Sequence, residues 1–186
     1  MIFENLPRNL VLFNYDIKDI KSYAQTFFTE KEGRLQRLTD SISSDLNIDK
    51  SKLDFSEASL SIVDRWLVNH VKSVKLSKEE YDVLRKSFRP EIDVPDWKLS
   101  SDTFSNVFSL GMYFGEVMIH KYPDLKWEQF LKTKRDVDYG HVIIQLGRLK
   151  KMNPIWLLNV VCIKITQEKE TSLLELFKIW EQYVNP

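Results

Sequence analysis

Apolar residues recur three and four positions apart along most of the chain, which predicts a mainly helical protein. Residues 16–44 carry this pattern and predict one long helix, with Gly33 as a candidate break. A second stripe starts at Ser56 and continues through Val74, and a third starts at Ser77. Each start is a serine followed by a periodic apolar run, which is the usual signature of a helix N-terminus.

Residues 102–122 form the most apolar segment and predict a helix that is buried nearly all round, with Ser101 as its N-cap. Gly111 and Gly115 lie four residues apart on it, a spacing that suits close approach of another backbone. Such a helix is expected at the centre of the molecule, with the other elements packed around it.

Two short segments, residues 126–131 and 141–146, are rich in aromatic or β-branched residues and predict strands. Residues 11–13 are a third, weaker strand candidate. Residues 154–165 follow Asn153 and fit either a helix or a buried strand, and periodicity alone leaves both open. The pattern predicts an α+β fold, mostly helical, with a small antiparallel sheet packed on the helix at 102–122.

Length and composition predict one domain over residues 1–186, with a core at 53–184 and an N-terminal helical extension at 1–50. The 27 basic and 27 acidic residues balance, which argues against a general nucleic-acid binder or a basic membrane-surface protein. A single cysteine excludes an intramolecular disulfide. No basic leader precedes the first apolar run, so a cytoplasmic location is expected.

Five residues are candidates for a binding site. Glu116 is the only carboxylate between Asp102 and His120 on the apolar helix, and His120 follows one turn later on the same face. Tyr113 and Tyr139 could line the same cleft. Trp97 belongs to a proline-bounded connector at 90–99, where an aromatic ring either plugs the core or meets a partner. No phosphate loop or metal-ligand spacing is present, so neither cofactor nor metal is expected.

The helix motif G-x-Y-x-G-E-V at 111–117, followed by Trp127 on a strand, resembles a broad group of small uncharacterised bacterial α+β proteins. Some relatives in that group look like immunity proteins of toxin systems. The resemblance covers about residues 53–165. It implies a central Gly–Glu helix against a small antiparallel sheet, and it carries over no catalytic residue.

The function expected from these features is non-catalytic binding of another protein, in the manner of an immunity protein or inhibitor. The alternative is a small-ligand-binding protein or a hydrolase-type enzyme with a site around Glu116 and His120. A self-associating scaffold is a third reading, which a self-complementary apolar patch would distinguish.

Overall fold

A computed structural model describes residues 12, 15–148 and 150–184 of the chain. This part contains six α-helices: α1 Ile17–Leu46, α2 Glu57–His70, α3 Lys78–Lys86, α4 Ser101–Lys121, α5 Pro154–Thr166 and α6 Leu173–Glu181. It also contains five strands: β1 Ser73–Lys75, β2 Trp97–Leu99, β3 Trp127–Gln129, β4 Val142–Gln145 and β5 Lys151–Met152. A 3-10 turn, Lys50–Lys52, follows α1. The predicted fold class is confirmed: the chain is a mostly helical α+β domain.

The central position predicted for the most apolar helix is confirmed. Twelve of the residues of α4 are buried, and α1, α2, α5 and α6 all pack against it. Its N-cap is Ser100, whose hydroxyl accepts a hydrogen bond from the Thr103 N–H at 3.2 Å. The prediction of Ser101 as the cap was therefore wrong by one residue, because Ser100 holds the extended backbone that a cap requires.

The long N-terminal helix is continuous, and Gly33 does not break it. α1 ends instead at Asn47, which has a left-handed backbone (φ 49°) and donates its N–H to Ser43 and Ser44 carbonyls. Glycine lowers helix propensity by about 1 kcal/mol, a cost that packing of α1 on α4 offsets. The strand predicted at 11–13 lies outside the described residues except for Leu12, which is buried and belongs to no strand.

Both predicted sheet segments form strands, and they meet in a three-stranded antiparallel sheet of order β3-β4-β5. Trp127 pairs with Ile144, and Ile144 pairs with Met152 on its other side. β4 is the middle strand, so its Val142, Ile143 and Ile144 side chains are fully buried.

The segment that fitted either a helix or a strand is helix α5. Asn153 caps it by accepting a hydrogen bond from the Trp156 N–H at 3.1 Å, and Pro154 occupies the first helical position. α5 forms the most extensive helix contact with α4. Among the described helices, none is both long and apolar enough to cross a membrane.

Residues 73–99, which we call the arm, differ most from the sequence prediction. The stripe from Ser56 to Val74 is not one helix, because α2 ends at His70 and Val74 lies in β1. Trp97 is not in an irregular connector but in β2, where it pairs with Lys75. β1 and β2 pair only with each other, so their formation depends on residues distant along the chain that the local pattern does not show.

Candidate functional site

The glycines of the motif at 111–117 lie where α4 contacts other elements of the fold. A Cβ atom at Gly111 would lie 2.8 Å from the Cα of Ile155, so glycine there lets the α5 backbone lie against α4. A Cβ atom at Gly115 would lie 2.1 Å from the Trp127 indole ring. The two glycines therefore allow α5 and β3 to pack directly on the central helix.

Tyr113 is fully buried between α4 and α2. Its hydroxyl donates to the Ser59 Oγ atom at 2.7 Å, and its ring lies 4.9 Å from that of Phe55. Burial raises the pKa of Tyr113, because the charged phenolate is disfavoured away from water. A tyrosine held in this way is closed to a ligand, so its position is that of a packing residue.

Glu116 joins three elements through one carboxylate oxygen. Its Oε1 atom lies 2.6 Å from the Lys31 Nζ atom of α1 and 2.7 Å from the Trp127 Nε1 atom of β3. The Glu116 and Lys31 side chains are only 20% and 23% exposed, so water screens this pair less than a surface pair. The carboxylate on the apolar helix thus has the basic partner that a partly buried charge requires.

The other candidate residues do not gather around Glu116. His120 is exposed near the end of α4. The pKa of the nearby Asp54 is lowered mainly by hydrogen bonds from Ser56, and His120 lowers it slightly further. Tyr139 packs partly buried before β4, and its N–H donates to the Asp136 carbonyl at 3.0 Å. Trp97 is half-buried in the arm. No hydrogen bond or ion pair links any of these three to Glu116 in the part of the chain described.

An open groove of about 370 Å³ lies beside Glu116, between α1, the 3-10 turn and α4. Its apolar floor is formed by Leu35, Leu53 and Phe55. The φ angle of Phe55 is 61°, a left-handed conformation that is unusual for a bulky residue and often marks a functional site. The lysines at its rim are already paired, Lys31 with Glu116 and Lys50 with Asp40. Within the described ranges, no three His, Cys, Asp or Glu residues converge on a metal-sized site.

A second ionisable cluster, which the sequence did not indicate, joins the ends of α1 and α2. The Asp45 Oδ2 atom lies 2.8 Å from Trp66 Nε1 and 3.1 Å from His70 Nε2. The His70 Nδ1 atom lies 2.8 Å from the Trp66 carbonyl oxygen, and the two rings stack at 4.2 Å. Both imidazole nitrogens therefore face acceptors that fix the ring. Only the fold brings Asp45 to His70, so spacing along the chain gave no signal.

The arm carries exposed apolar side chains away from the core. Helix α3 starts after Ser77 as predicted, with a capping box of Ser77 and Glu80, but it has no buried residue. Exposed apolar residues of the arm are Val74, Val83, Phe88 and Ile92.

Comparison of the chain with protein-family models, with curated proteins and with solved structures finds no match. The resemblance to small bacterial α+β proteins therefore stays a prediction.

Proposed function

We propose that this protein acts by binding another protein, without catalysing a reaction. The observation that carries the proposal is the arm, where a nine-residue helix and a two-stranded ribbon expose apolar side chains. Val83 is 68% exposed and Phe88 is 45% exposed. Val74, Val83, Phe88 and Ile92 lie within this one segment, and exposed apolar side chains that share a patch are typical of protein interaction sites.

The arm is also suited to contact because it is anchored at its base. The Ser100 N–H donates to the Lys72 carbonyl at 2.9 Å, and the Lys72 N–H donates to the Thr103 hydroxyl at 2.9 Å. Arg85 donates to the carbonyls of Arg89 and Pro90, which closes the segment after α3. An ordered surface loses less conformational entropy when a partner binds. More specifically, we propose that the protein inhibits its partner by covering the partner's functional surface, as an immunity protein does.

The test is quantitative affinity capture from the native host with two matched variants. The arm variant carries Val83→Ser and Phe88→Ser. The control carries Val68→Ser and Ile179→Ser, two exposed apolar residues outside the arm. We expect a partner that the native chain and the control retain and the arm variant loses. Equal capture by both variants, or no partner at all, would contradict the proposal.

A small-ligand or hydrolase-type site at Glu116 is the second candidate function, and the groove with its left-handed Phe55 favours it. A volume of about 370 Å³ is within the range of ligand sites. Glu116→Gln keeps an acceptor for the Trp127 indole but removes the charge that pairs with Lys31. A compound whose stabilising effect in a thermal-shift screen disappears in Glu116→Gln, while the exposed control Glu91→Gln outside the groove keeps it, would favour this candidate.

A further inference from the structure

The loop between β3 and β4 is compact and closed at its base. The Phe130 N–H donates to the His141 carbonyl at 2.8 Å, and the Gly140 N–H donates back to the Phe130 carbonyl at 2.8 Å. The Gln129 side chain adds a hydrogen bond to the Gly140 carbonyl at 3.0 Å. Residues 131–139, which we call the cationic loop, thus leave and re-enter the sheet at one point, as in the compact loops that often carry function.

The acidic side chains of this loop are turned inward. The Lys151 Nζ atom of β5 lies 2.9 Å from Asp136 Oδ2 and 3.1 Å from Asp138 Oδ2. Asn153 donates to Asp138 at 2.9 Å, and the Lys151 ammonium lies 4.7 Å from the centre of the Phe130 ring. Lys151 therefore holds both carboxylates of the loop against the sheet and offsets one of their two negative charges.

The basic side chains of the same loop point outward. Lys132, Lys134 and Arg135 are all exposed. Lys132 has one long contact, 3.8 Å to Glu128, and its side chain is 70% exposed. Neither Lys134 nor Arg135 has a hydrogen bond or an ion pair to any described residue. Val137, at 75% exposure, and Leu131 lie in the same loop. A chain of zero net charge therefore presents a local surface of three cations with aliphatic neighbours.

We propose that the cationic loop binds an acidic, partly apolar surface of a partner protein, an inference that rests on the protein-binding function proposed above. Charge complementarity favours an acidic occupant and increases its rate of encounter. The exposed aliphatic side chains suit a protein surface. A single-stranded nucleic acid would need aromatic rings for base stacking, and the only aromatic residue of the loop, Tyr139, is partly buried. Because its ends and its aspartates are fixed, the loop meets the partner already ordered.

The test uses a displayed library of random short peptides as the probe. The loop variant carries Lys132→Glu, Lys134→Glu and Arg135→Glu. A control carries Lys52→Glu, Lys164→Glu and Lys169→Glu, three exposed lysines on other segments, and it has the same change in net charge. We expect the native chain to select peptides rich in Asp, Glu and aliphatic residues. Their affinity should fall at least about tenfold in the loop variant and little in the control.

The outcomes separate this inference from the proposed function. Selection of non-acidic peptides that the arm variant loses would leave protein binding standing and overturn the role of the cationic loop. Equal loss of affinity in the loop variant and the control would also overturn it, since net charge alone would then explain binding. A labelled single-stranded RNA that binds more tightly than the peptides and is lost in the loop variant would make the partner a nucleic acid. Absence of any selected peptide and of any captured partner would overturn the proposed function itself.

Discussion

Glycine at position 115 allows the Trp127 ring to lie directly on α4, where its indole N–H reaches the neighbouring Glu116 carboxylate. The ring also packs 5.1 Å from that of Phe27 on α1. Because Gly115 has no side chain, the Trp127 ring can contact Phe27 and can donate a hydrogen bond to Glu116. The same Glu116 carboxylate also pairs with Lys31. Sequence alone indicated that Glu116 needs a partner. It did not indicate that this partner is Lys31, which lies 85 residues away along the chain.

We expect Gly115→Ala to destabilise the protein by about 2–3 kcal/mol, because the added methyl group would force the Trp127 ring off α4. Gly33→Ala is the matched control: its Cβ atom would meet only the end of the flexible Arg37 side chain, at 3.3 Å. The control should stabilise the protein by up to about 1 kcal/mol through helix propensity. Urea unfolding measures both, and a similar loss in the two variants would contradict the role given to Gly115.

The N-terminus of helix α6 is capped by a side chain from another helix, α2. The first N–H of α6, at Leu173, donates to the Asp64 carboxylate of α2 at 2.8 Å. Burial raises the pKa of Asp64 to about 6, although the hydrogen bond from Leu173 acts in the opposite direction. The sequence predicted α2 from its periodicity, but a cap that accepts a hydrogen bond from a residue 109 positions away is decided by packing.

The raised pKa of Asp64 predicts a pH effect of defined sign. Between about pH 4 and pH 6 the folded chain holds a proton on Asp64 that the unfolded chain, with a pKa near 3.8, has released. Raising the pH through this range therefore lowers the contribution of Asp64 to the free energy of unfolding.

Asp64→Asn keeps an oxygen acceptor for the Leu173 N–H and cannot ionise. We expect the native chain to lose stability relative to this variant as the pH rises from about 4 to 6, and the variant to be the more stable of the two at pH 7. Thermal or urea unfolding across this range measures the difference. A constant difference between the two proteins would show that Asp64 does not titrate as described.

The whole molecule divides into a core around α4 and an arm that contributes little to it. Phe114 is fully buried on α4 and meets Phe177 of α6 edge-on, with ring centres 6.3 Å apart. Phe88 of the arm is exposed and outside the hydrophobic core. Phenylalanine is therefore part of the buried core at position 114 and lies at the surface at position 88.

We expect Phe114→Ala to destabilise the protein by about 3–5 kcal/mol, because a cavity forms in the core. Phe88→Ser should change the free energy of unfolding by less than about 0.5 kcal/mol, as is usual at exposed sites. Urea denaturation of both variants tests this contrast. A large loss of stability in Phe88→Ser would mean that the arm is part of the core and would weaken its assignment as a binding surface.

Local patterns determined most of the helices, because periodicity and capping serines act within one or two turns. The sequence alone also determined that α4 is central, since a helix without a polar face has to be buried. Tertiary structure decided that residues 154–165 are helical, and that 73–75 pair with 97–99, because both depend on contacts distant along the chain. It likewise decided how the charges of the loop at 131–139 are arranged: Lys151 holds both aspartates against the sheet, and the three basic side chains of the loop stay exposed.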